Sequence, residues 1–149
     1  MSAIFIENVR WLKACNMQLW SEEMFTIPKV EQDIDLYEYY VADRDGGVIA
    51  TFRLQFADPD NWPDVSPNES IFLHRLAVRR AFAGDGIAQE MLLHAKQRTQ
   101  GSHRRFLRLD CAAERPKLRA IYENAGFVWR DDRTVGPHLL SRYEWHRQE

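Results

Sequence analysis

The stretch "VRRAFAGDGIAQEMLLHAK", Val78–Lys96, sets Gly84 and Gly86 between a pair of arginines and an amphipathic segment. Glycine costs about 1 kcal/mol relative to alanine inside a helix, so a pair at a helix entrance implies work for the backbone itself. Downstream, Ile87, Met91, Leu92 and Ala95 share one face and predict a helix over Ile87–Gln100. Upstream, "IFLHRLAV", Ile71–Val78, reads as a strand. Strand, glycine turn and helix together suit an anion. Small residues let backbone N–H groups turn toward it, and the helix N-terminus adds about half a positive charge. A tight strand-to-helix turn with no ligand is the plainer reading of the same glycines.

Three phosphate-binding motifs compete for this loop. A P-loop requires Gly-Lys followed by Ser or Thr, and here Ile87 and Ala88 follow Gly86. A dinucleotide fingerprint begins well at Gly84 and Gly86 but ends at Gln89. Asp110 mimics its ribose-binding acid, yet a hairpin precedes the motif and too little chain follows for a doubly wound fold. A kinase glycine loop sits in a hairpin, not before a helix.

Working outward, the apolar residues and tryptophans from Ile4 to Met24 (Ile6, Val9, Leu12, Met17 and Leu19 with Trp11 and Trp20) fit helical packing without fixing where the helix ends. Leu36–Phe56 reads as a hairpin, with "RDGG" at Arg44–Gly47 supplying positive-φ turn positions. "DPDNWPDVSPNES", dense in Asp, Asn, Pro and Ser, is a loop. A strand is expected over Arg105–Ala113. A helix follows, with Pro116 in its first turn, a Leu118, Ile121, Tyr122, Ala125 stripe, and Gly126 at C′ with Phe127 folding back on the cap. "FVWR" and "HLLSRYEW" finish as antiparallel strands. The sum is an α+β fold, a mixed and mostly antiparallel sheet flanked by helices, in one domain over 1–149.

Bulk properties narrow the function classes. The 149 residues are one domain's length, and 45% hydrophobic with 28% charged residues is an ordinary globular balance. A formal charge of −2 gives no basic coat for nucleic acid or for a membrane surface. The apolar runs fall far short of the roughly 20 residues that cross a bilayer. The N-terminus has no signal-peptide pattern. Cys15 and Cys111 form no metal-spaced cluster and read as reduced cysteines of a cytoplasmic protein, with no metal expected.

"LHRLAV…AGDGIAQEMLLHAK…LRLDCAAERPKLRAIYENAGF" resembles the GNAT superfamily of acetyl-CoA-dependent N-acetyltransferases, strongly from Tyr37 to Phe127. The resemblance implies a transfer of acetyl from acetyl-CoA to a primary amine of a small molecule. It implies that Leu76, Ala77 and Val78 present backbone groups to the pantetheine arm, with an N–H of Leu76 or a neighbour polarising the thioester carbonyl. The loop Ala83, Gly84, Asp85, Gly86, Ile87 and Ala88 would wrap the pyrophosphate. Tyr122, before the "GF" cap, stands where the family carries a tyrosine that protonates the departing thiolate. The chain departs from the family at Ala83, in place of Gln or Arg, at Asp85, an acid beside the pyrophosphate, and at Arg115, where an asparagine touches the pantetheine. Arg79, Arg80 and Arg115 offer compensating positive charge. A CoA-binding module that has lost catalysis is the alternative these departures suggest.

For the base, His74 lies on the cofactor strand, and histidine is the side chain whose ordinary pKa lies nearest neutrality. A histidine on a strand is more often structural. Glu69 and Asp64 are rivals, and Asp110 and Cys111 can line the same cleft. A lone Cys111 without an identifiable histidine partner reads as packing rather than as a nucleophile. The acids Glu22, Glu23, Glu31, Asp33, Asp35 and Asp64 make either a cation-favouring acceptor site or a solvated face. Little chain precedes "VRWL", so the family's first strand is expected to be truncated, leaving a sheet edge open or covered by a partner in a homodimer.

Overall fold

Residues 1–15, 17 and 20–149 are described in the computed structural model of the chain, so Leu19, assigned above to the N-terminal helix, lies outside the described residues. The helices are α1 (Ser2–Ala14), α2 (Ile27–Leu36), α3 (Ile87–Gln100) and α4 (Pro116–Asn124). The strands are β1 (Glu38–Arg44), β2 (Gly47–Gln55), β3 (Ser70–Val78), β4 (Phe106–Ala112), β5 (Val128–Val135) and β6 (His138–His146). They form one sheet in the order β1-β2-β3-β4-β6-β5, the GNAT-like α+β arrangement expected. The chain divides into two compact units, Met1–Arg53 with Arg75–Met91, and Leu54–His74 with Leu92–Glu149.

In the first unit, α1 ends at Ala14, well short of Met24, which lies instead in a 3-10 turn over Glu22–Phe25. The helix α2 was not anticipated from sequence. Its segment "IPKVEQDIDL" sets Ile27, Val30 and Ile34 at helical spacing with a proline in the first turn, although of these only Val30 is buried. The core joins Ile4, Phe5 and Val9 of α1 to Phe25, Val30 and Ala77. Phe5 stacks on Phe25 with ring centroids 4.4 Å apart, and Trp20 meets both edge-on at 6.1 and 5.5 Å. Burying an aromatic ring of this kind stabilises by about 1.5–3 kcal/mol. The hairpin turns at Asp45 (φ 52°) and Gly46 (φ 79°), the two positive-φ positions of a two-residue turn.

In the second unit, β3 and β4 run parallel over Ser70↔Phe106, Ile71↔Leu107 and Phe72↔Arg108. A parallel pair needs a crossover, and α3 is that crossover. β4 then pairs antiparallel with β6 over seven positions, Phe106↔His146 to Ala112↔Leu140, and β6 with β5. Helix α4 ends as its sequence requires. Gly126 takes φ 90°, its N–H reaches the Glu123 carbonyl at 3.0 Å, and the Phe127 N–H reaches that of Tyr122 at 3.0 Å. Phe127 is buried, with its ring 6.2 Å from that of Tyr122.

Candidate active site

The glycine turn has the backbone its sequence predicts. Gly84 and Gly86 take φ 85° and 79°, a region that side chains other than glycine's rarely adopt. A Cβ placed on either would meet no protein atom within 4 Å, so the space beside them is left open. The N–H groups of Ala83 and Asp85 are spent within the turn, on the carbonyls of Arg80 and Phe82 at 3.2 Å each. The Gly86 carbonyl accepts from Glu90 at 3.2 Å and so starts α3. The first-turn N–H groups of Ile87, Ala88 and Gln89 therefore have no helical acceptor. Asp85 is exposed.

The neighbouring arginines are committed elsewhere. Arg80 stacks over Trp11 at 3.8 Å and its backbone N–H donates to Glu7 at 3.0 Å. Arg79 donates to the Val48 carbonyl at 3.3 Å and lies 4.0 Å from Glu7. Within β3, Arg75 has φ 57°, a left-handed conformation that breaks the regular extended backbone of the strand. Its guanidinium stacks over Phe25 at 4.9 Å and donates to Asp33 at 3.2 Å and to the Tyr39 hydroxyl at 3.3 Å. Asp33 also accepts from Arg53 at 2.8 and 3.0 Å and from the Tyr39 hydroxyl. Burial opposes its ionisation, yet these hydrogen bonds and the two guanidinium charges outweigh burial and hold its pKa below the ordinary value.

In the second unit, His74 and Asp110 each lie two positions beyond the last β3–β4 pair. Asp58, buried at the start of the long loop, joins them. Its Oδ2 lies 2.7 Å from His74 Nε2, and one ligand-capable atom of each of the three residues lies within 4.8 Å of the others. A carboxylate only accepts, so Nε2 is the donor, and in the neutral imidazole Nδ1 is then the nitrogen that carries the lone pair. Asp110 accepts from the Trp62 indole at 3.2 Å and from the Asn61 amide at 3.3 and 3.4 Å. Its pKa is raised. Burial is the largest cause and Asp58 adds to it, against the opposing charge of His74 and the two hydrogen bonds.

The loop that presents Asp58 is held from below by Arg142, a buried residue of β6 that sequence reasoning missed. Its guanidinium donates to Asp131 at 2.7 Å twice, to Asp64 at 2.8 and 3.1 Å and to the Asn61 carbonyl at 3.1 Å, and stacks on Trp62 at 4.5 Å. The signal was faint, an arginine at an inward position of a strand. The rival bases are thereby accounted for. Asp64, hydrogen-bonded to Arg142, is held far below the usual carboxylate range, and Glu69 pairs with Arg108 at 2.9 Å.

Tyr122 is buried on α4, and burial raises its pKa well above the ordinary value. The ring of Tyr143 lies 5.9 Å away, but the two hydroxyls differ. That of Tyr143 accepts from Arg119 and donates to Glu123, both at 2.9 Å, whereas that of Tyr122 makes no hydrogen bond among the described residues. Cys111 is buried, and burial with the nearby Asp110 charge pushes its thiol up to about 12. A thiol so poorly ionised at neutral pH is packing, as its lone occurrence suggested. Arg115, half-buried, precedes α4, and its N–H reaches the Ala112 carbonyl at 3.2 Å.

A mostly antiparallel sheet whose parallel β3–β4 pair is bridged by a glycine-entered helix is the architecture of the GNAT acyltransferases. Residues 5–127 match the model of the acetyltransferase (GNAT) family, and the chain belongs to that family and is an acyltransferase. It is 28% identical over 148 residues to the uncharacterized N-acetyltransferase YesJ of Bacillus subtilis (strain 168), covering 95% of this chain and 82% of the relative. Among solved structures it resembles a GNAT-family acetyltransferase of Listeria monocytogenes 4b F2365, with TM-score 0.77, 25% identity, and coverage of 97% of this chain and 86% of that one. A GNAT-family acetyltransferase of Elizabethkingia anophelis, solved with acetyl-CoA bound, shares the fold at TM-score 0.67 and 15% identity, over 81% of this chain and 83% of that one. No helix among the described residues is long and apolar enough to cross a membrane.

Proposed function

We propose that the chain works as a single acyltransferase domain, moving the acetyl group of acetyl-CoA to the primary amine of a small molecule. The observation that carries the donor half is the Gly84–Gly86 turn at the head of α3, with positive φ at both glycines and open space beside them. In this reading the N–H groups of Gly84, Gly86, Ile87 and Ala88 hold the pyrophosphate, while Ala83 and Asp85 shape the turn. Leu76, Ala77 and Val78 flank the pantetheine, and the left-handed backbone at Arg75 favours a Leu76 N–H turned to the thioester oxygen. Arg115, which precedes α4, is assigned to the pantetheine in the same reading. The free cysteines favour a reducing, cytoplasmic setting.

The amine nitrogen attacks the thioester carbonyl carbon, the C–S bond breaks, and the amine proton passes to Nδ1 of His74. The thiolate takes its proton from Tyr122. Asp58 acts through His74, fixing its tautomer and orientation by the 2.7 Å hydrogen bond. The test is thiol release from acetyl-CoA by the purified protein over an amine panel. His74→Gln, which keeps a polar side chain but no base, lowers kcat by about 10²-fold or more with the acetyl-CoA Kd unchanged. A wild-type rate in that variant removes His74 from the mechanism.

Two variants probe the donor loop. Gly86→Val forces a β-branched residue to positive φ and fills the open space, so the acetyl-CoA Kd rises tenfold or more, about 1.4 kcal/mol, while circular dichroism stays native. An unchanged Kd refutes the phosphate role of the turn. Asp85→Asn removes an exposed negative charge beside the proposed pyrophosphate and leaves the Kd equal or lower, with a gain that shrinks as salt rises. Markedly weaker binding would give Asp85 a positive role.

A further inference from the structure

We propose that the loop between β2 and β3 builds a preformed pocket for an apolar group of the acceptor, so that the preferred substrates are monoamines bearing an aromatic or branched hydrocarbon. This rests on the reading of the chain as an amine acetyltransferase. The loop lines a half-open cavity of about 250 Å³ formed by Phe56, Trp62, Val65 and Phe72 together with three prolines. Asp58 is the one ionisable residue in that lining. An apolar cavity of about 150 Å³ suffices for benzene, so this volume admits a phenyl ring with a short linker.

Three observations make it a built site. First, its walls are fixed. The Trp62 N–H reaches the Asp58 carbonyl at 2.9 Å, the Asn61 N–H reaches Asp58 Oδ1 at 3.2 Å, and Arg142 holds the Asn61 carbonyl at 3.1 Å and stacks on Trp62 at 4.5 Å. A ligand therefore does not have to order the loop, which is where much affinity is otherwise lost. Second, the pocket is continuous with the candidate chemistry. Asp58 lines it and at the same time holds His74 Nε2 at 2.7 Å, and Phe72 precedes His74 by two residues on the same strand. A hydrocarbon seated there leaves its amine beside the imidazole. Third, two of the acids that suggested a polycationic acceptor are otherwise engaged, Asp33 by Arg53 and Arg75, Asp64 by Arg142 and Arg130, and of those six acids none lines the pocket. One carboxylate in an apolar lining suits one ammonium and a hydrocarbon, not a chain of charges.

The test compares kcat/KM for ethylamine, butylamine, isoamylamine, benzylamine, phenethylamine and spermidine. The expected series rises about threefold to fourfold per buried methylene until the pocket is full, with spermidine no better than ethylamine. Val65→Trp fills the cavity and lowers the phenethylamine-to-ethylamine ratio at least tenfold. Val65→Ala enlarges it and moves the optimum to a bulkier amine. A flat series, or ratios in both variants equal to wild type, overturns the proposal. A separate arm uses indole, which has no acetylatable amine. Saturable NMR shifts of the Trp62 indole N–H, lost in Val65→Trp, support the pocket, and their absence in the wild type overturns it. If no amine is acetylated, the enzymatic reading fails while the indole arm still decides the pocket.

Discussion

Replacing Tyr122 by phenylalanine lowers kcat about 10²-fold or more and leaves the acetyl-CoA Kd nearly unchanged, the scale expected when a positioned general acid is removed. The substitution takes away one oxygen and keeps the ring that packs near Phe127 and Tyr143. The contrast with Tyr143 is what singles it out. Tyr143 spends its hydroxyl on Arg119 and Glu123, so its truncation is a stability matter, whereas the hydroxyl of Tyr122 makes no such bond among the described residues. Burial also keeps Tyr122 protonated above the ordinary tyrosine pKa, so loss of the acid adds no alkaline fall in kcat up to about pH 10. A purely structural Tyr122 predicts the opposite pattern, about 1 kcal/mol of lost stability and a normal rate per folded molecule. A full rate in Tyr122→Phe ends the assignment.

The second large effect is on folding. Arg142→Ala destabilises the protein by about 3 kcal/mol, more than a hundredfold in the folding equilibrium, measured by denaturant titration. The guanidinium is buried, and its removal takes away the paired hydrogen bonds to Asp131 and Asp64 and the support under Trp62. The two carboxylates are 41% and 39% exposed and rehydrate in part, which keeps the cost below that of orphaning fully buried charges. Both carboxyl pKa values are lowered, chiefly by hydrogen bonds from Arg142. A lowered folded pKa contributes stability that is present above the unfolded carboxylate pKa, about 3.9, and is lost as pH falls through the folded value. The stability gap between wild type and variant therefore narrows in acid below about pH 4. A gap independent of pH, or a loss under about 1 kcal/mol, would show that the loop does not depend on this pair.

What was legible in the sequence was local. The helix Ile87–Gln100 was read at its observed ends because four buried residues repeat on one face within it. Helix α4 was read from a proline at its start, a glycine at C′ and a phenylalanine to close the cap, and each does that work. The hairpin turn and the glycine loop were legible for a related reason. Positive φ is a demand on single residues, and Asp-Gly and Gly-x-Gly answer it in the one-letter code. The failures were local too. The N-terminal apolar residues did not fix the ends of α1, and α2 was missed although Ile27, Val30 and Ile34 repeat at helical spacing within it.

The sequence by itself thus determined the six strands, helices α3 and α4, the glycine turn at the head of α3 and Tyr122 as the buried residue of α4. Tertiary structure alone decided which polar residues meet. Asp58, His74 and Asp110 come together because a loop folds over the point two residues past the β3–β4 ladder, and nothing in the spacing 58, 74, 110 encodes that register. It also decided which acids are spoken for, since Asp33, Glu69 and Asp64 look alike in a sequence until arginines from other elements reach them. The physical reason is range. Propensity, capping and turn chemistry act over a few residues along the chain, while desolvation and charge pairing depend on neighbours that only the packed sheet supplies.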